Sequence, residues 1–364
     1  MTEKKHVVVG MSGGVDSSVA AALLHERGYR VTGIALRFTE PDEDAPSRET
    51  CCATRDLQDA RRVAVDLGIP FHVVEAEDAF EDRVVDYFCR AYADGRTPNP
   101  CVACNRQVKF AKLVEVARMV DADRVGTGHY ARVEHNPGDG RHVLKRGADR
   151  DKDESYFLYR LTGRQLAMSL FPLGGQGKER TRQMAREREL PVSEKSSTQD
   201  ICFVGDRDYR DFLEQRHPDC RRPGPIVDSS GQELGRHSGI VDYTVGQRKG
   251  LGIAAPEPLY VLRLEPERNR VVVGTRDELR CRRVEVHDVN WPGRPAPQEP
   301  LRADVKMRYR ENERAAMVHP RPDGRVEIQL KEPRPAPAPG QSAVFYDDDI
   351  VLGGGIIARS PAAL

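Results

Sequence analysis

Apolar positions in the first two hundred residues alternate between two periods. Val7-Val8-Val9 is a short unbroken apolar run closed by Gly10, the mark of a strand covered on both faces. A helical stretch is predicted from 17 to 27, with Gly28 placed to cap it. Residues 30–36 read as a second strand. Leu57, Ala60, Ala64 and Leu67 then recur at helical spacing over 56–67, and Gly68 and Pro70 end that stripe. Phe71-His72-Val73-Val74 is a third strand, and a helix over about 110–119 and a strand around Val125 continue the rhythm. Repeated β-α-β units predict an α/β fold with a parallel sheet. In such sheets ligands sit at the carboxyl ends of the strands, where strand order reverses.

The pattern changes after Cys202. Over 224–260 it breaks into short strands and turns, with Ser230-Gly231 and Ser238-Gly239 as candidate turn dipeptides. Two proline-rich stretches, Trp291-Pro292-Gly293-Arg294-Pro295-Ala296-Pro297 and Pro333-Arg334-Pro335-Ala336-Pro337, punctuate the tail. Short alternating runs at 325–330 and 343–346 predict a small β-barrel or sandwich. The expected division is an α/β domain over 1–203, a small central domain over 204–277 and a C-terminal β-barrel over 278–364.

Composition narrows the class. Of 364 residues, 38% are hydrophobic and 31% charged, which suits folded soluble domains. No apolar run approaches the roughly 18 residues of a membrane span, and Met1-Thr2-Glu3-Lys4-Lys5 runs directly into the first strand, so a cytoplasmic location is expected. The 57 basic and 57 acidic residues cancel, so any grip on nucleic acid must be local. Eight cysteines are too few for a disulfide scaffold of this length.

Gly10-Met11-Ser12-Gly13-Gly14-Val15-Asp16-Ser17-Ser18 joins the first strand to the first helix. Its glycines let the backbone approach a ligand, and its N–H groups and the helix N-terminus suit a phosphate, with Ser12, Ser17 and Ser18 as added hydroxyl donors. It is not a Walker A loop, because the Gly-Lys-Ser/Thr ending is absent. Ser-Gly-Gly-Val-Asp-Ser resembles the pyrophosphate loop of the N-type ATP pyrophosphatases. That resemblance implies ATP cleavage to AMP and pyrophosphate, with Asp16 near metal-bound pyrophosphate and Mg²⁺ as the metal.

Cys101 and Cys104 form a C-x-x-C pair in Asn99-Pro100-Cys101-Val102-Ala103-Cys104-Asn105, and Cys202 follows Ser197-Thr198-Gln199-Asp200-Ile201. Alone, such a pair fits redox chemistry, half a zinc site or an iron–sulfur corner. Beside a pyrophosphatase loop it acquires another sense. The oxygen of a uridine carbonyl leaves poorly; adenylation makes it leave readily, and a thiolate or persulfide can attack the ring carbon.

The whole chain resembles the tRNA-specific 2-thiouridylases, which thiolate the wobble uridine. Besides the loop, the resemblance runs through Thr97-Pro98-Asn99-Pro100, Cys104-Asn105, Gly126-Thr127-Gly128-His129-Tyr130, Lys152-Asp153-Glu154-Ser155-Tyr156-Phe157-Leu158, Asp200-Ile201-Cys202-Phe203 and Gly246-Gln247-Arg248-Lys249-Gly250-Leu251-Gly252. It ends with Lys306-Met307-Arg308-Tyr309-Arg310 and Gly353-Gly354-Gly355. It implies that Cys104 is the nucleophile and Cys202 the persulfide bearer. Gly10, Met11, Ser12, Gly13, Gly14, Val15, Asp16, Ser17, Leu36 and Gly128 fall on ATP contacts. Asn99, Pro100 and Cys101 fall where the extruded target base is met, and Lys152, Asp153, Glu154, Arg308 and Tyr309 on tRNA contacts. It also implies an upstream persulfide carrier, wobble uridines of Lys, Glu and Gln tRNAs as targets, and a disulfide step between Cys104 and Cys202.

Two departures matter. Many members of that family carry aspartate where Cys101 stands and glutamine where Glu154 stands. A thiol does not inherit an acid–base role, and a carboxylate beside RNA phosphate repels it unless paired. Cys101, Cys104 and Cys202 also open an alternative, three thiolates holding a [4Fe-4S] cluster with one open iron. Other readings are blander. Cys51, Cys52, Cys89, Cys220 and Cys281 read as small hydrophobes. His129 reads as a histidine hydrogen-bonded to backbone, and Asp347-Asp348-Asp349 as a solvated hairpin turn. Arg248 and Lys249 suit phosphate contact in a glycine-flanked loop. Other pyrophosphatase-loop enzymes, such as a tRNA lysidine synthetase or an amidotransferase, share the ATP loop without needing the cysteines.

Overall fold

The run Val7-Val8-Val9, each residue fully buried, becomes the middle strand of a five-stranded parallel sheet. The computed structural model describes residues 4–39, 54–138, 140–196, 201–205 and 207–358. Its first strands are β1 (His6–Gly10), β2 (Arg30–Arg37), β3 (Phe71–Glu75) and β4 (Arg124–Gly126). Next come a hairpin of β5 (Ala131–Asn136) and β6 (Arg141–Arg146), and the two-residue β7 (Ser169–Leu170). The sheet order β3-β2-β1-β4-β7 makes the chain reverse direction between β1 and β4. That places the crevice of the α/β fold at their carboxyl ends.

Helix α1 (Val15–Glu26) begins two residues before the expected start, and Gly28 follows it at φ +85°, the left-handed cap that glycine adopts without strain. The helix expected at 110–119 is the last part of a longer helical run. Pro100–Cys104 opens it with Asn99 as N-cap, Asn105–Lys109 widens into a π-type turn, and Phe110–Met119 completes it.

In the centre, β8 (Gly224–Val227), β9 (Glu233–His237), β10 (Tyr260–Glu265) and β11 (Arg270–Gly274) form a sheet of order β10-β11-β8-β9. The final strands are β12 (Arg280–Asn290), β13 (Leu301–Lys306), β14 (Arg314–Pro320), β15 (Val326–Pro335), β16 (Ser342–Asp347) and β17 (Ile350–Ile357). They run β12-β15-β14-β13-β16-β17, and β12 pairs back onto β17 to close a six-stranded barrel. The second proline-rich stretch begins inside the barrel sheet. Its prolines end β15, where Pro335 pairs with Arg280 and a missing N–H costs little.

The hairpin β5–β6 escaped the sequence reading, which saw only β-α-β rhythm there. It leaves the α/β sheet and pairs Lys145 of β6 with Ile350 of β17, extending the barrel sheet. The Asp347-Asp348-Asp349 turn fastens it. Asp348 is left-handed at φ +51°, while Asp349 accepts Arg132 at 2.7 Å and Lys145 at 3.2 Å, so it is ion-paired rather than merely solvated. Apolar packing continues across the domains. One core cluster joins Val8, Cys104 and Phe203 to Ile226 and Val273, and another joins Val102, Phe110 and Tyr156 to Val344 and Tyr346.

Candidate active site

The loop at 10–18 is held open by its glycines and its own hydroxyls. Gly13 has φ +73°, and a Cβ there would lie 2.1 Å from the Asp56 carbonyl oxygen, so no other residue fits. The Ser12 N–H donates to Ser17 Oγ at 3.1 Å, while the Ser17 and Ser18 hydroxyls donate to the Gly14 carbonyl at 3.1 and 2.9 Å. This corrects one expectation: Ser18 is fully buried and its hydroxyl is spent inside the helix start. Met11 and Val15 are buried as well, so those positions offer a ligand their backbone rather than their side chains.

Gly10 ends β1, Leu36 lies near the end of β2 and Gly128 lies just beyond β4, three neighbouring strand ends. A Cβ on Gly128 would meet the Asp16 carbonyl carbon and the Ser17 nitrogen at 2.7 Å, which fixes glycine against the start of α1. Asp16 accepts the Lys178 ammonium on both oxygens at 2.6 Å and the Tyr130 hydroxyl at 2.7 Å. Lys195 braces the other side, donating to the Gly13 carbonyl at 3.1 Å, Asp56 at 2.5 Å and Asp59 at 2.7 Å. The sequence reading missed both lysines, which are 162 and 182 positions from their loop partners. Nothing local in the sequence marks them.

The segment 97–104 lies where the three parts of the chain meet. Thr97 donates its N–H to Pro339 at 2.7 Å, and the Gln341 amide donates to the carbonyls of Thr97 and Pro98 at 3.0 and 3.2 Å, all from the barrel. The Thr97 hydroxyl reaches Thr244 of the central region at 3.4 Å. Asn99 Oδ1 accepts the Val102 N–H at 3.4 Å and starts the short helix that carries both thiols of the C-x-x-C pair. Cys101 is exposed, Cys104 is buried and Cys202 is half-buried.

Cys202 packs against the same apolar cluster that contains Cys104. Phe203 anchors it by inserting among Phe80, Phe88 and Phe212 at centroid distances of 5.8, 5.1 and 5.3 Å. Residues 197–200, which precede it in its motif, lie outside the described residues, as do Cys51 and Cys52. Among the described residues no three His, Cys, Asp or Glu side chains are gathered as metal ligands. The three thiols thus do not form a preassembled cluster site in this conformation. Burial pushes the Cys89 and Cys281 thiols up to about 11, consistent with their bland reading.

The stretch 152–154 divides. Asp153 is 1% exposed and its carboxylate is filled by the Gly147 and Ser155 N–H groups at 3.0 Å, the Ser155 hydroxyl at 2.9 Å and Arg146 at 3.6 Å. Its side chain holds the segment in place. Glu154 is not a bare carboxylate beside phosphate. Its Oε2 accepts the Tyr130 N–H at 2.9 Å, and burial raises its pKa to about 7. Lys152 remains partly exposed. His129 bonds the Thr127 hydroxyl at 2.8 Å rather than backbone, lies between Phe110 and Phe171, and burial holds its pKa well below 6.5.

Arg308 and Arg310 are exposed, while Tyr309 turns inward against Phe157 at 4.5 Å. A Cβ on Gly246 would come within 3.4 Å of Arg308 Nη2, so the barrel's basic turn abuts the central glycine loop. Arg248 and Lys249 are exposed on that loop, and beside them 250–259 and Arg248 line an open cleft of about 650 Å³. Exposed arginines from two domains therefore face solvent in one neighbourhood despite zero net charge.

Three family models match this chain in series. One described as tRNA methyl transferase HUP domain covers 5–206, one described as tRNA methyl transferase PRC-barrel domain covers 210–275, and one described as Aminomethyltransferase beta-barrel domain covers 281–357. The chain is 49% identical to a protein from Geotalea uraniireducens named tRNA-specific 2-thiouridylase MnmA, over 98% of this chain and 96% of that one. It is 48% identical to the protein of that name from Methylobacterium radiotolerans, over 98% and 94%. A protein from Caldanaerobacter subterraneus, named tRNA-specific 2-thiouridylase MnmA 2, is 46% identical over 99% of both chains. The domain models are labelled for methyl transfer, whereas the relatives matched along nearly their whole length are named for thiolation.

Proposed function

This chain belongs to the family of tRNA-specific 2-thiouridylases, and from that premise we propose that it converts a tRNA uridine to 2-thiouridine by ATP-dependent activation and cysteine-borne sulfur transfer. ATP lies along 10–18, its phosphates against the backbone N–H groups at the start of α1. Asp16 offers hard oxygen ligands suited to Mg²⁺, which when bound offsets phosphate charge. The target base, extruded from its stack, enters beside Asn99, Pro100 and Cys101. Lys152, Arg308 and Tyr309 lie along the RNA path, with Asp153 and Glu154 shaping it from beneath.

The uridine C2 oxygen attacks the ATP α-phosphorus, and the bond to pyrophosphate breaks. Cys202 carries a persulfide loaded by an upstream carrier. The Cys104 thiolate attacks Cys202 Sγ, forming a Cys104–Cys202 disulfide while the outer sulfur takes the electron pair of the broken S–S bond. Expelled in this way, the sulfur adds to C2 as hydrosulfide; in the other order the persulfide's outer sulfur adds to C2 first, and the Cys104 thiolate then attacks Cys202 Sγ, leaving that sulfur on the base. AMP leaves with the original oxygen, and an external thiol reductant reopens the disulfide. Wobble uridines of Lys, Glu and Gln tRNAs are the proposed targets. No step is routed through an iron–sulfur cluster.

The observation that carries this reading is the thiol-bearing segment 97–104, clamped by Gln341 and Pro339 and sharing one apolar cluster with Cys202. Incubating the protein with tRNA, ATP and a sulfide or persulfide source, then digesting the tRNA for mass spectrometry, should yield 2-thiouridine and AMP. A different modified base from the wild-type protein would overturn the assignment. Anaerobic purification with iron and sulfide analysis tests the cluster alternative; stoichiometric iron required for thiolation would replace the persulfide route.

A further inference from the structure

Sulfur transfer as proposed above leaves Cys104 and Cys202 joined after every cycle, and the fold makes that bond hard to reach. Cys104 is buried in the apolar cluster that also holds Val8, Phe203 and Ile226, and Cys202 is half-buried against the same cluster on a separate segment. Cys202 carries no new persulfide until the disulfide is opened, and access to the attacked sulfur is one of the factors that set the rate of exchange. The third thiol takes no part in those bond changes. Cys101 is exposed, and it stands three residues before Cys104 on the helix Pro100–Cys104, which Asn99 caps. Three residues along an α-helix set two Cα atoms about 5 Å apart, inside the roughly 4.4–6.8 Å that a disulfide spans. The pair therefore joins a sulfur open to solvent to a sulfur in the core within one helical turn.

We propose that Cys101 is the resolving cysteine of the cycle. Its thiolate attacks Cys104 Sγ, the Cys104–Cys202 bond breaks, and Cys202 leaves with the electron pair as a thiolate ready for the next persulfide. The oxidation then rests on a Cys101–Cys104 disulfide. A dithiol reductant from solution attacks the exposed Cys101 Sγ, and Cys104 leaves as a thiolate. The second thiol of the reductant displaces Cys101 and closes the reductant's own disulfide. Two electrons and two protons pass from the dithiol to the protein, and all three protein thiols are restored. This role rests on the cysteine-borne sulfur transfer proposed above and gives its external reductant one defined point of attack.

A single turnover tests this directly. Full-length protein carrying a persulfide is mixed with tRNA and ATP without reductant, quenched in acid, alkylated and digested for non-reducing mass spectrometry. Wild type should yield a peptide with Cys101 and Cys104 linked internally and Cys202 alkylated, whereas Cys101→Ser should hold a Cys104–Cys202 crosslink. Wild-type protein that makes 2-thiouridine but shows only the Cys104–Cys202 crosslink, or no Cys101–Cys104 disulfide, would overturn the proposal. A second readout needs no turnover: both proteins are oxidised with diamide and then reduced with dithiothreitol. Alkylatable Cys104 should return about tenfold or more slowly in Cys101→Ser than in wild type. Equal rates would sink the resolving role by themselves. Wild-type protein that makes no 2-thiouridine at all would remove the sulfur-transfer reading, a separate failure.

Discussion

The phosphate loop and the thiol site are built on opposite plans. The loop is nine consecutive residues whose shape is dictated locally, by Gly13 in the left-handed region and by hydroxyls bonded within the same turn. The thiol site has two cysteines 98 positions apart, and neither is placed by its own neighbours alone. Cys104 depends on a segment gripped by the barrel and the central region, and Cys202 on an aromatic plug at Phe203. A contiguous motif can serve many chemistries; an assembled one belongs to this three-part architecture. The difference suggests that ATP handling tolerates damage in the other domains, while sulfur transfer does not.

The largest expected effect separates the two regions outright. Cys104→Ser or Cys202→Ser should lower 2-thiouridine formation by on the order of 10³-fold or more, since a hydroxyl cannot replace the thiolate as nucleophile or carrier. ATP affinity should stay unchanged by calorimetry. If either serine variant also lost ATP binding, the two sites would not be independent. The reciprocal change is Gly13→Ala, which forces a Cβ to within 2.1 Å of the Asp56 carbonyl and a left-handed φ on alanine. It should abolish measurable ATP binding and cost about 2–3 kcal/mol in urea denaturation.

Legibility in the sequence followed the same divide. Four of the five parallel strands, α1 and the phosphate loop were readable because short-range periodicity and glycine placement determine them, as Val7-Val8-Val9 and Gly28 illustrate, whereas the two-residue β7 was too short to show. The cysteines were readable as residues, through resemblance, but their setting was not. Lys178, Lys195, Gln341 and the β5–β6 hairpin act across 162 or more positions, and no window of sequence reports such pairings. Asp153 is the instructive case. The resemblance puts the whole Lys-Asp-Glu run on tRNA contacts, yet its middle carboxylate is buried under Arg146, whose guanidinium lies 3.5 Å from the centre of the Tyr346 ring. Gln341→Ala sharpens the point, because it removes two hydrogen bonds to Thr97 and Pro98 from a residue in the barrel. It should cost about 1–2 kcal/mol, lower thiolation several-fold and leave the ATP dissociation constant alone. A matching loss of ATP affinity would show that the clamp supports both sites.

The last predicted effect, on stability and not on catalysis, concerns the residue that touches both plans. Glu154 belongs to the segment on the proposed RNA path, yet its carboxylate holds the N–H of Tyr130, whose hydroxyl reaches Asp16 in the phosphate loop. Burial raises its pKa to about 7; Asp16 pushes in the same direction, while the Tyr130 N–H, Lys109 and Lys178 oppose it. In the unfolded chain a glutamate titrates near pH 4.3. Between those values the folded state holds the proton more tightly, so this group's contribution to stability is complete below about pH 4.3 and is lost as pH rises to about 7. Glu154→Gln keeps an oxygen for Tyr130 and has no charge to desolvate. Urea denaturation at pH 5, 6, 7 and 8 should find the variant gaining on wild type by about 2–3 kcal/mol between pH 5 and pH 8, measured from their difference at pH 5. Curves that stay parallel would mean the carboxylate is solvated enough to ionise freely, and that Tyr130 does not bind the two regions through a partly neutral Glu154.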